Sequence, residues 1–137
     1  MLISKDYIFD ASHFIPGHSK CGVMHGHTWK LSISLSGVVD PDTHMVMDFH
    51  LLNDIVRTHI VDIFDHKCIN YEVPSDFYPT AETLVEYFSY SLHEFFLPFK
   101  NIDGFYIKLQ EGEGGWAETF TDLIDLREEE ALKNGEN

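Results

Sequence analysis

The chain has 137 residues, 44% of them hydrophobic and 14% aromatic with 11 Phe, a composition that can bury a core of ordinary size within one domain. Its formal net charge of −14 argues against a nucleic-acid surface, which needs clustered Lys and Arg, and no apolar run reaches the roughly 20 residues of a membrane span. Met1-Leu2-Ile3-Ser4-Lys5-Asp6 lacks the long apolar segment of a secretory signal. Cys21 and Cys68 make no CxxC and no evident disulfide framework, so a reducing cytoplasm is the expected compartment.

Residues 2–14 and 25–39 read as strands, because Tyr7, Phe9, Ala11 and His13 share one face and His25, His27, Trp29, Leu31, Ile33 and Leu35 another. Pro16-Gly17-His18-Ser19-Lys20-Cys21-Gly22 is a loop between them, 37–43 is a turn, and 45–47 is a short extended piece. From Asp48 the period lengthens. Leu52, Ile55, Val56, His59, Ile60 and Ile63 form a helical stripe that runs to about Phe64, with His59 expected in a core or boundary position. Residues 65–70 follow as a loop. Thr80 is a good N-cap for a second helix with Glu82 in its first turn, although Thr83 replaces the acid of a capping box, and Pro98 stops the helix. Residues 105–111 alternate again, Gly112-Glu113-Gly114-Gly115 turns the chain, and 116–126 reads as a closing strand.

The order is ββααββ, an α+β fold in which a four-stranded antiparallel sheet carries two helices on one face. The expected domain spans 1–126. The acidic tail 127–137, with Glu128, Glu129, Glu130 and Glu136, is expected to fray. A sheet with open edges and an uncovered face predicts association with further copies.

Several groups could carry chemistry. If the first two strands pair, His13, His25 and His27 meet at one end of one face, an arrangement suited to zinc with an open coordination position. A lone His-x-His is weak evidence, and the third imidazole at matching parity strengthens it. Cys21 lies in a Gly-flanked polar loop just before this pair, where a metal or Lys20 would favour its thiolate as base or nucleophile, whereas Cys68 reads as a small buried hydrophobe. Asp65-His66 is either a turn or a carboxylate-oriented imidazole for proton transfer. Glu111 continues the inward face of Phe105 and Leu109, so it is either a strand end reaching solvent or an acceptor pair for an amidine-like edge. A Gly-rich phosphate loop, HExxH and a nucleophile elbow are all missing from the sequence.

Taken in order, His13, Cys21-x-x-x-His25-Gly26-His27, Met47-Asp48-Phe49, Asp65-His66-x-x-Ile69-Asn70, Pro79-Thr80-x-Glu82 and Glu111 through Trp116-Ala117-Glu118 resemble the 6-pyruvoyl-tetrahydropterin synthase and 6-carboxytetrahydropterin synthase family over roughly residues 2–121. The resemblance implies the tunnelling fold and a homohexamer of paired trimers with sites between subunits. It implies zinc on His13, His25 and His27, Cys21 as the base on the substrate side chain, and Asp65 with His66 as a proton-moving dyad, which a neighbouring subunit's zinc could use. Glu111 would grip the pterin edge with Thr80 near it. His18, Lys20 and Lys67 would offset the charge of 7,8-dihydroneopterin triphosphate. His18 and the short 14–24 loop resemble the 6-carboxytetrahydropterin branch, whose reaction releases triphosphate and acetaldehyde on the way to queuosine and other deazapurines. The alternatives are 6-pyruvoyltetrahydropterin synthase, a dihydroneopterin aldolase-like activity, or a non-catalytic zinc- or pterin-binding relative. One departure is Gly112, which stands where the family often has Thr.

Overall fold

The computed structural model describes residues 1–135. Strands β1 (Leu2–His13) and β2 (His25–Gly37) form the expected antiparallel hairpin, with His13 opposite His25, Ala11 opposite His27 and Phe9 opposite Trp29. Their odd-numbered side chains enter the core. Tyr7, Phe9, Trp29, Leu31, Ile33 and Leu35 are all buried, and each large apolar side chain contributes ~1.5–3 kcal/mol on burial. The even-numbered face is polar and links the strands through hydroxyls: Ser32 donates to Asp6 at 2.6 Å, and Thr28 donates to Asp10 at 2.6 Å.

The first helical segment begins at Asp48, whose carboxylate accepts the His50 amide at 2.8 Å. It runs as α1 (Phe49–Val56), widens into a π-turn over Arg57–Val61, and ends in α2 (Asp62–Phe64). His59 stacks on Phe95 with ring centroids 3.9 Å apart, a boundary position as the helical stripe predicts. Residues 45–47 form a bend and not an extended piece; Val46 and Met47 are buried there. Helix α3 (Ala81–Phe96) starts at Thr80. Its capping box is complete without an acid, since the Thr83 hydroxyl accepts the Thr80 amide at 3.1 Å while Thr80 Oγ1 accepts the Thr83 amide at 3.2 Å.

Strand β3 (Lys67–Cys68) runs parallel to β1 beside Ala11 and Ser12, within the stretch expected to be loop. Strands β4 (Ile102–Glu111) and β5 (Gly115–Asp122) complete the sheet on the far side of β2. The sheet therefore has five strands in the order β3-β1-β2-β4-β5, one more than the four expected, and the helices pack on its odd-numbered face. A two-residue strand is too short to show any period, which explains the difference.

The closing segment needs a larger correction. The chain leaves the sheet at Asp122, and α4 (Leu123–Lys133) replaces both the expected strand to Leu126 and the frayed segment after it, as far as Lys133; Glu136 and Asn137 lie outside the described residues. Asp122 caps the helix by accepting the amides of Ile124 at 2.9 Å and Asp125 at 3.1 Å. Leu123 is fully buried. Arg127 then reaches the C-terminal carbonyls of α3 and the turn beyond, donating to Leu97 at 3.0 Å, Phe99 at 2.7 Å and Ile102 at 2.8 Å. Leu97 and Phe99 lie just past the end of α3 and Ile102 opens β4, so one guanidinium ties three backbone segments together.

Arg127→Ala is expected to lower the unfolding free energy by about 1.5–3 kcal/mol, because it strips a charged donor from several partly buried carbonyls. A shift of the urea midpoint measures it. A midpoint equal to that of the wild type would mean that α4 docks without this contact.

Candidate metal centre and its surroundings

The histidine trio forms as the strand register requires. Ring centroids lie 4.6 Å apart for His13 and His25, 4.8 Å for His25 and His27, and 5.2 Å for His13 and His27. Two of the rings are held by their outer nitrogens. His13 Nδ1 lies 2.9 Å from the Pro79 carbonyl, just before α3, and His25 Nδ1 lies 2.7 Å from the Val23 carbonyl. A carbonyl only accepts, so each Nδ1 carries the proton and each Nε2 presents a lone pair. Burial holds the His27 imidazole below its ordinary value, outweighing the opposing pull of Glu111, and the charges of His13 and His25 act in the same direction as burial. The His27 ring is thereby favoured in its neutral, ligating form.

Glu111 ends β4 opposite Trp29 and joins the trio. Its Oε1 lies 2.9 Å from His13 Nε2 and 3.0 Å from His27 Nε2. Those separations are contacts, but their orientation is not that of a hydrogen bond, because both nitrogens are buried without a hydrogen-bond partner. One ligating atom from each of His13, His25, His27 and Glu111 lies within 4.8 Å of the others. Buried, unpaired acceptors converging on one point are costly unless a cation satisfies them, and three imidazoles plus a carboxylate match zinc's preferred donors.

Cys21 is outside that ligand group and shares a cavity of about 620 Å³ with Lys20, Val23, His25, His27 and Glu111. His18 shapes its loop. Its Nδ1 accepts the amides of Cys21 at 2.8 Å and Lys20 at 3.2 Å, and the Cys21 carbonyl accepts the Ile15 amide at 2.7 Å. Gly22 is required next to Cys21, since an added Cβ would lie 2.4 Å from the His18 carbonyl oxygen. His18 thus engages the loop through one ring nitrogen. Thr80, expected near the substrate, has its hydroxyl in the α3 cap.

Asp65 and His66 form a close pair with Nδ1 and Oδ1 3.0 Å apart, but within one chain they stand away from the ligand group. They sit by the even-numbered face, where His66 lines a second cavity of about 530 Å³ with Asp10, Thr28, Lys67 and Cys68; His27 borders both cavities. The Asp10 amide donates to Asp65 Oδ1 at 3.0 Å and, with help from His66, holds that carboxyl below its ordinary range. The His66 amide donates to the Asp10 carbonyl at 2.6 Å, and His66 adopts a left-handed φ of 61°.

Sequence reasoning missed three supports. Asp10 positions Asp65 through its backbone. The Pro79 carbonyl fixes His13. Asn70 grips Phe14 at both ends, accepting its amide at 3.0 Å and donating to its carbonyl at 2.8 Å, which pins the chain just after His13. Asn70 closes the Asp65-His66-x-x-Ile69-Asn70 motif, so its position carried a signal although its task did not. Gly112 also has a structural reason: it turns with φ of 61°, and its amide is engaged by the Thr28 carbonyl at 3.1 Å.

Residues 2–122 match the family model described as 6-pyruvoyl tetrahydropterin synthase. A putative 6-carboxy-5,6,7,8-tetrahydropterin synthase of Archaeoglobus fulgidus is 36% identical over 118 residues, covering 86% of this chain and 94% of that protein. The 6-carboxy-5,6,7,8-tetrahydropterin synthase of Haemophilus influenzae is 42% identical over 71 residues, covering 49% of this chain and 50% of its own length. Among solved structures, the 6-pyruvoyl tetrahydropterin synthase of Caenorhabditis elegans superposes with a TM-score of 0.76 at 20% identity, over 89% of this chain and 96% of that one, a likeness of fold. The chain belongs to the 6-pyruvoyl tetrahydropterin synthase family, an enzyme family of the lyase type, and has its tunnelling fold.

Purified protein is expected to bind one zinc per chain by metal analysis after dialysis, and Cys21→Ala should retain it. His13→Ala should weaken binding by more than the roughly 10–100-fold typical of losing a ligand's outer hydrogen-bond partner. Retention of wild-type affinity by His13→Ala would remove the trio from consideration.

Proposed function

We propose that this protein is a zinc-dependent lyase that converts 7,8-dihydroneopterin triphosphate, with uptake of water, to 6-carboxy-5,6,7,8-tetrahydropterin, releasing triphosphate and acetaldehyde for queuosine or related deazapurine synthesis. The observation that carries this reading is the convergence of the His13, His25 and His27 imidazoles beside a cavity containing a free thiol. The relatives of Archaeoglobus fulgidus and Haemophilus influenzae, both named for the 6-carboxy product, favour that branch over the 6-pyruvoyl one.

Zinc held by His13, His25 and His27 would supply Lewis-acid polarisation of the substrate's side-chain oxygens. The remaining work falls to side chains. Cys21 takes a proton from the side-chain carbon as thiolate, its loop held by His18 and its cavity shared with Lys20. Glu111 accepts hydrogen bonds from the pterin's amino-pyrimidine edge, and Thr80 stands near as a lesser contact. Asp65, ionised and anchored by the Asp10 amide, orients His66 for proton transfer on the opposite side of the substrate. Lys20, Lys67 and His18 give local positive or donor groups to a triphosphate that the net charge of −14 would otherwise repel.

Assembly would give the trio a dyad from a neighbouring copy. Strand β3 covers only Ala11 and Ser12 of β1, and β5 is the opposite edge of the sheet, so both edges can accept strands of neighbouring copies. We infer a homohexamer of two trimers in which His66 of one subunit completes the site of another. Among the described residues no helix is long and apolar enough to cross a membrane. A compartment that keeps Cys21 reduced, the cytoplasm, suits the chemistry.

The test is to incubate zinc-loaded protein with dihydroneopterin triphosphate and identify products by mass. Acetaldehyde with the 6-carboxy product is expected. A 6-pyruvoyl or hydroxymethyl product would move the chain to another branch, and no turnover would leave a binding protein. Cys21→Ala should reduce kcat by about 10²–10⁴-fold, the usual worth of a positioned general base. Light scattering should give six times the chain mass of 15.8 kDa; a monomer active at full rate would contradict the shared site.

A further inference from the structure

Glu111 has a place in the pterin reading, but its carboxylate does not point away from the metal centre. Its Oε1 meets His13 Nε2 at 2.9 Å and His27 Nε2 at 3.0 Å. At His13 the proton is on Nδ1, facing Pro79, so the atom that meets the carboxylate carries a lone pair. Two acceptors at that separation repel. His13 is 2% exposed, so water screens the repulsion poorly, and neither the His13 nor the His27 Nε2 has a hydrogen-bond partner.

Ligands that share one ion have this relationship. Each aims its lone pair at the ion, so neighbouring donors lie close together without being aligned as donor and acceptor. With zinc–ligand bonds of about 2.0–2.2 Å, tetrahedral neighbours stand roughly 3.3–3.5 Å apart, a little wider than the contacts here. Glu111 is the last residue of β4, followed at once by the left-handed Gly112, and its side chain is 33% exposed. One end of the carboxylate is therefore against the trio while the side chain keeps room to turn into the cavity it shares with Cys21.

We propose that Glu111 is the fourth metal ligand of the substrate-free protein and gives up that position when a pterin binds. The inference rests on the zinc reading above and adds a second state to it. Without substrate, His13, His25, His27 and Glu111 would together hold the ion. With substrate, Glu111 would release it and turn its carboxylate to the pterin N–H groups. One residue thereby links recognition of the ring to opening of the metal.

The experiment measures zinc affinity by competition with a chromophoric chelator, together with the visible absorption of the cobalt(II)-substituted protein. It compares wild type, Glu111→Gln, Glu111→Ala and His13→Ala, with folding checked by circular dichroism. Both Glu111 variants should lose roughly tenfold or more in zinc affinity, since a direct ligand is worth at least as much as a ligand's outer partner. Their cobalt spectra should differ from wild type, and adding a dihydropterin with vicinal side-chain oxygens to wild-type cobalt protein should also change its spectrum. Unchanged affinity and an unchanged spectrum in Glu111→Gln would overturn the inference and leave Glu111 as a pterin anchor only. Wild type that binds no zinc, or His13→Ala that binds it normally, would instead overturn the metal reading beneath it.

Discussion

Two carbonyl oxygens decide the chemistry of this protein. Those of Pro79 and Val23 take the Nδ1 protons of His13 and His25, and so fix which nitrogen of each ring faces inward. Without them the imidazoles could rotate or change tautomer, and the strand register alone would deliver rings but not ligands. The Pro79 contact also ties β1 to the start of α3, whose capping box holds the same turn from the other side. Sheet, helix and site are thus fastened at one point, and an outer hydrogen bond of this kind is the usual way a protein orients a metal-binding imidazole.

The parts legible in the sequence were those with a period. Alternation in β1 and β2 sets which side chains share a face, so the meeting of His13, His25 and His27 follows from counting by twos. The apolar stripes and Thr80 place the two long helices for the same reason. What escaped notice lacks a period or depends on distant partners. β3 is two residues long. α4 hides behind Glu128, Glu129 and Glu130, and the signals for it are Asp122 as a cap and Arg127 as a donor to carbonyls about thirty residues earlier. The alternation of 116–126 carries no trace of an arginine whose partners lie past the end of α3 and at the start of β4.

The site shows the same limit. Glu111 was recognisable as an acid at an inward position, but its contact with two imidazoles depends on the register between β2 and β4, which brings Glu111 beside Trp29. Thr83 could not be recognised as half of a capping box by a rule that looks for an acid, although its hydroxyl does the same work. Asp65 and His66 are neighbours in sequence and in space. Their separation from the trio, in contrast, is a fact of which sheet face each occupies, and the motif gives no hint of it.

That division between faces restricts how the chain can change in length. Along β1, His13 and Ala11 face the helices while Asp10 and Ser12 line the other side. One residue inserted or deleted between Tyr7 and His13 would rotate every later side chain to the opposite face, moving an aspartate under the helices and an imidazole out of the trio. The same holds for 25–31 in β2. Changes of length are therefore better tolerated in the exposed turn 41–45 than in the paired strands, and in the 14–24 connection they must leave His18, Cys21 and Gly22 in place.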